Sequence, residues 1–164
     1  MKWFLAVVGA AVVAAFAYMQ LNSVKTTYVN GLAPYTALPG REFILERDCY
    51  VFKFKSRDTD WPLLGSREVV PDLPAEVSAA NVGAEIHAIR ILDVIHVGDH
   101  FRIASVRRDT GRSGTKITFE VLLSEEATRK YPRLDTYWIM DHSPEKEGSA
   151  PTFLPEYAVP LRDR

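Results

Sequence analysis

Residues 100–123, HFRIASVRRDTGRSGTKITFEVLL, decide how this chain folds. From Thr115 to Leu123 the side chains alternate cleanly: Ile117, Phe119, Val121 and Leu123 share one face, Lys116, Thr118 and Glu120 the other. A period of two marks a strand with one face on a core and one toward water. Residues 100–108 also read as a strand, with Phe101 and Ile103 on one face and Ala104 and Val106 on the other. The intervening 109–114 segment holds two glycines, which adopt positive φ without steric cost, and it predicts a hairpin loop.

Upstream of a Gly98-Asp99 turn, residues 85–97 are apolar on both faces for much of their length (Ala88, Ile89, Ile91, Leu92, Val94, Ile95), as in a strand at a sheet centre or a bent barrel strand. Strand signals begin at Glu42. Phe43 and Leu45 share a face between the charged Glu42 and Glu46, then Tyr50, Phe52 and Phe54 share a face opposite Lys53 and Lys55. Pro62, Gly65, Pro71, Pro74 and Gly83 exclude a long helix or a long central strand from residues 56–83. That stretch predicts a long loop with a short extended piece at 68–70.

Downstream, Ser124 can cap a short helical turn. Glu125 and Glu126 stand at its positive end, Arg129 and Lys130 near its negative end, and Pro132 stops it. Residues 137–140 predict a last short strand. This order of elements resembles that of SH3-like barrels over roughly residues 42–141, with 55–84 as the long first loop and 109–114 as the distal hairpin. An OB-like barrel or a small open sheet carries the same order. The expected fold is therefore mainly β, a small SH3-like or OB-like barrel with one short helical turn. A stalk or lead-in at 22–40 precedes the domain at 41–141, and a Pro-rich tail at 142–164 follows it, with Phe153, Leu154 and Tyr157 available to pack back.

The N-terminus predicts where the domain sits. Seventeen consecutive residues from Trp3 to Met19 lack a charge or a strongly polar side chain, and Lys2 precedes them. Extended to Leu21, this run makes a helix of about 28 Å, close to the hydrocarbon thickness of a bilayer. The positive flank keeps the N-terminus cytoplasmic and the remainder outside. Ala15-Phe16-Ala17 matches a signal-peptidase site, which would release the protein into the periplasm. The apolar run continues past that site through Tyr18, Met19 and Leu21, which favours an uncleaved signal anchor spanning the inner membrane through residues 3–21. Cys49, the one cysteine, lies in a strand-like run and is expected to be buried and inert.

Composition narrows the function classes. With 47% hydrophobic and 25% charged residues the chain is neither disordered nor multi-spanning. Twenty basic against 21 acidic residues give a net charge of −1, so no whole-chain field attracts nucleic acid. The sequence lacks a phosphate-binding glycine loop, a His-Glu-x-x-His pair, a Cys-x-x-Cys pair and a nucleophile elbow. His96 and His100 flank the Gly98-Asp99 turn near Asp93, but strand parity separates Asp93 from His96, so no metal is expected there. No cofactor is implied.

The best candidate surface is the hairpin itself. Between Phe101 and Ile117 stand Arg102, Arg107, Arg108, Arg112 and Lys116 against Asp109 alone, a local charge of +4. Arg107, Arg108, Arg112 and Lys116 are candidate ligands for a phosphate or carboxylate group. Trp61 in the long loop is a candidate anchor for a peptide or glycan. The expectation is a non-enzymatic, membrane-anchored module outside the cytoplasm that binds an envelope protein or an anionic envelope component. A periplasmic inhibitor or immunity-type protein that occludes an enzyme is the alternative, and an enzyme of unfamiliar type the third reading.

Overall fold

The computed structural model describes residues 23–57, 61–123 and 130–161, together with Val8, Ala11 and Val12. Among these residues the strands are β1 (Lys25–Tyr28), β2 (Glu42–Leu45), β3 (Cys49–Phe54), β4 (Leu63–Gly65), β5 (Glu85–Ile86) and β6 (Ile89–Ile95) in the first half. The second half adds β7 (His100–Gly111), β8 (Gly114–Leu123), β9 (Leu134–Asp135), β10 (Met140–Asp141), β11 (Thr152–Phe153) and β12 (Ala158–Pro160). The segments expected to form the N-terminal span and the helical turn after Ser124 lie outside the described residues, apart from isolated positions. Among the described residues no helix is long and apolar enough to cross a membrane.

The alternating hairpin forms as expected, but its turn is tighter. β7 and β8 stay paired out to Gly111 and Gly114, leaving Arg112 and Ser113 at the tip. Gly114 has φ +117°, a conformation that side chains rarely adopt. The apolar 85–97 run is two strands, because His87 takes φ 49° and turns β5 back onto β6. In the long loop the extended piece is β4, whereas residues 67–69 form a turn.

The fold is mainly β, and the expected closed barrel is not formed. The strands hydrogen-bond in the open order β12-β2-β7-β8-β9-β4-β3-β6-β5, with β1 added to β7 and a separate β10–β11 ribbon. The physical reason lies in the C-terminal segment. Ala158–Pro160 pairs with Phe43–Leu45 and occupies the β2 edge that closure would require. At the other end the sheet stops at the two-residue β5.

The open sheet curls around two cores. The larger gathers Phe43, Leu45, Ile103, Val106, Ile117, Phe119 and Val121 with Cys49 and Val51 from one face of β3. Phe153 of β11 plugs it, with ring centroids 4.7 Å from Phe43, 5.1 Å from Phe101 and 5.4 Å from Phe119. The smaller core lies on the opposite face of β3 and β6, where Val70 and Leu73 cover Tyr50, Phe52, Ile89, Ile91 and Val94. The Tyr50 hydroxyl pins this cover by donating to the Glu76 carbonyl at 2.6 Å and accepting from Asn81 Nδ2 at 2.6 Å. The lead-in also packs, burying Val29, Tyr35 and Leu38, and β1 pairs with β7.

One irregularity orients the rest. The β7–β8 register shifts between Ile103 and Ser105, a bulge that places the extra residue Ala104 in solvent. Simple alternation sets Ile103 and Val106 on opposite faces; the bulge returns both to the larger core. It thereby turns Ser105, Arg107 and Asp109 together toward the other face.

Candidate functional site

That other face is the floor of a cleft. Across the sheet Thr26 faces Asp109, which faces Lys116; Tyr28 faces Arg107, which faces Thr118. The next row runs Ser105, Glu120, Asp135 and Leu63 over β7, β8, β9 and β4. Side chains of paired residues project to the same side, so the pairing gathers polar groups from four strands beside Leu63 of β4.

Arg107 is the centre of the floor. Its Nε donates to Asp109 Oδ2 at 3.0 Å and its Nη2 to Asp135 Oδ2 at 2.7 Å, while Nη1 lies 3.5 Å from both Glu120 and Asp135. Arg133 pairs with Glu120 and lies 3.8 Å from Asp135. Ser105 donates to Glu120 at 2.5 Å and Thr26 to Asp109 at 2.7 Å. Glu120 and Asp135 are buried, and the Arg107 side chain is only 14% exposed, so these pairs are shielded from salt and water. Burial works against the charge on Arg107, yet Asp135 and Asp109 outweigh it and hold its pKa above the ordinary arginine value. At Asp135 burial dominates and pushes the carboxyl upward, against the pull of Arg107 and Arg133.

Aromatic residues form the walls. Lys116 Nζ lies 3.5 Å from the Tyr137 ring centroid and 5.8 Å from that of Trp138. The Arg133 guanidinium stacks 4.5 Å from the Trp61 ring. Phe54 backs Trp138, and Tyr28 borders the β1 side. The cleft encloses about 650 Å³. Thr118 lines it, and the Thr118 hydroxyl is buried with no hydrogen-bond partner among the described residues.

The structure brings three of the five candidate residues together and separates two. Arg107, Lys116 and Trp61 converge on the cleft. Arg108 lies on the opposite face, its guanidinium 5.8 Å from the Tyr35 ring, and Arg112 stands exposed at the hairpin tip. A single four-cation surface is therefore not formed: Arg107 and Arg108 are adjacent on a strand whose bulge lies upstream of both. Arg107 is also no phosphate ligand in waiting, since three carboxylates surround it. The sequence pattern alone does not assign Asp109, Thr118, Glu120, Arg133, Asp135, Tyr137 and Trp138 to this site. Their shared face was the one available signal for Thr118 and Glu120, while Arg133 and Asp135 depend on a two-residue strand.

The histidines do other work. His96 Nδ1 lies 3.3 Å from Asp48, whose other oxygen accepts the Val97 N–H at 2.7 Å, and Asp99 accepts the His96 N–H at 3.0 Å. These contacts fasten the β6–β7 turn. Among the described residues no group of three or more His, Cys, Asp or Glu side chains is placed to hold a metal ion. Comparison of the chain with protein-family models, curated proteins and solved structures returned no match.

Proposed function

We propose that the chain is a non-enzymatic binding module, anchored in the inner membrane through residues 3–21, that captures an envelope component in this cleft outside the cytoplasm. The observation that carries the reading is the state of the cleft's charged groups. Arg107 and Arg133 are interlocked with Asp109, Glu120 and Asp135, so the carboxylates act as partners for guanidinium groups. General acid–base chemistry needs a carboxyl or imidazole able to exchange its proton with a bound molecule. A carboxylate clamped by arginine is suited instead to hold a fixed pattern of hydrogen bonds. Aromatic walls above a polar floor are the common anatomy of a recognition pocket. The apolar run at residues 3–21, joined to the domain through the lead-in, supports the anchored topology.

The test uses the full chain in detergent. Cross-linking to solubilised envelope material should enrich a component that is lost when Trp61 and Lys116 are both replaced by alanine. Turnover of an esterase, phosphatase or glycosidase substrate, abolished by Asp135→Asn, would overturn the non-enzymatic reading.

A further inference from the structure

We infer that the occupant of the cleft is an uncharged saccharide, an inference that rests on the binding-module reading above. Charge is the first ground. Arg107, Lys116 and Arg133 are matched in number by Asp109 and Asp135 of the lining and by Glu120, which pairs with Arg107 and Arg133 without itself lining the cleft, so the charges of the site sum to zero. All three guanidinium nitrogens of Arg107 already face carboxylate oxygens. An anionic ligand would have to break those pairs inside a shielded site. A cationic ligand would have to displace Lys116 from Tyr137 and Arg133 from Trp61.

The second ground is hydrogen-bonding capacity. Each carboxylate oxygen has two lone pairs, and Arg133 Nε has no hydrogen-bond partner among the described residues, so the floor keeps acceptors and a donor beyond those the pairs consume. A sugar hydroxyl donates and accepts at once, and vicinal hydroxyls meet such a mixed floor without adding charge. Thr118 adds to this. Its hydroxyl is 99% buried by residue, lines the cleft and lacks a partner among the described residues. Burying a hydroxyl without a partner is costly, which gives a ligand that reaches it a ready gain.

The third ground is the rim. Tyr28 and Trp61 are 53% and 45% exposed and border the cleft from the β1 side and the β4 side. The C–H face of a pyranose ring packs on such rings while its hydroxyls turn to polar neighbours. β1 and β4 are four strand spacings apart, at most about 19 Å, which accommodates a short oligosaccharide.

The experiment titrates the full chain, in a detergent without a sugar head group, with tetramers of N-acetylglucosamine, glucose and mannose. Tryptophan fluorescence reports binding through Trp61 and Trp138. Inorganic phosphate and phosphatidylglycerol vesicles form the anionic arm. We expect at least one tetramer to bind with an affinity unchanged between 50 and 500 mM salt. Trp61→Ala should weaken it about tenfold or more. Because that variant also disturbs Arg133, the near-isosteric Thr118→Val is the second variant, and it should weaken binding several-fold while leaving the melting temperature unchanged or higher. Binding of phosphate or vesicles that fades with salt, with no tetramer bound, would overturn the saccharide inference and leave the binding module standing. Absence of binding in every arm, or saccharide binding untouched by both variants, would also overturn it. Hydrolysis of a bound tetramer would instead overturn the non-enzymatic reading.

Discussion

Arg107 on β7 and Asp135 on β9 meet at 2.7 Å across β8, 28 residues apart in the chain. The contact ties the short β9, and through it the β4–β3–β6 half of the sheet, to the long hairpin. Breaking a buried pair from one side leaves an uncompensated charge, here Asp109 without its guanidinium and Asp135 with only the more distant Arg133. Arg107→Ala should therefore destabilise the protein by about 3–5 kcal/mol in urea unfolding. Arg112→Ala at the exposed tip should change it by less than about 0.5 kcal/mol. The Arg107 variant should also regain part of its loss on mild acidification, as Asp135 takes up a proton. Equal effects at the two positions would show that the pairing is not what holds β9.

Phe153 tests the C-terminal segment. Three phenylalanines of the larger core surround its ring. Phe153→Ala should cost about 3–5 kcal/mol, the usual range for a buried phenylalanine. Loss of the plug should also loosen β12, exposing the Phe43–Leu45 edge to hydrogen exchange. A loss under about 1 kcal/mol would return residues 142–161 to an accessory role.

The hairpin was legible because its alternation runs for nine residues, and the buried set Ile117, Phe119, Val121 and Leu123 follows from it directly. The role of the tail was not, because strands of two or three residues have no period to detect. Barrel closure is not decided by the sequence pattern for the same reason: nothing local in Ala158-Val159-Pro160 says that it will claim the β2 edge. Lys116 and Trp61 each stood out alone, as a cation and as a loop aromatic. Their convergence depends on the parallel pairing of Leu63 with Asp135, a contact between segments about seventy residues apart. A count of nearby charges marks Arg107 but cannot show that its partners Glu120 and Asp135 lie 13 and 28 residues away. The bulge at Ala104 is likewise silent in the alternation, although it decides which face Arg107 takes.

Cys49 is fully buried in the larger core, and burial pushes its thiol up to about 12. The thiolate is the reactive form, so almost none is present at pH 8. Iodoacetamide at that pH should leave the native protein unlabelled and modify Cys49 only after urea unfolding. Labelling of the native state at the rate of the unfolded chain would contradict the packing of β3 against β6.

Acid should weaken the fold, and the carboxylates responsible can be told apart by sign. The Val97 N–H holds Asp48 below the ordinary carboxylate range. The Ser66 hydroxyl does the same for Glu68. Burial raises Asp93, but Lys130 at 2.6 Å and the Val94 N–H outweigh it and leave the carboxyl lowered. A carboxyl depressed in the folded state adds stability that is complete above its unfolded pKa and is lost as pH falls through the folded value. Asp135 runs the other way: its raised folded pKa means that folding takes up a proton as pH falls toward the unfolded value, which opposes the acid loss. Urea midpoints at pH 7 and pH 4 should therefore differ less in Asp48→Asn than in the native sequence, and more in Asp135→Asn, whatever each substitution does to stability at pH 7. Slopes parallel to the native sequence in both variants would mean that neither carboxyl changes its proton affinity on folding, and the electrostatic account of the cleft would fall with Asp135.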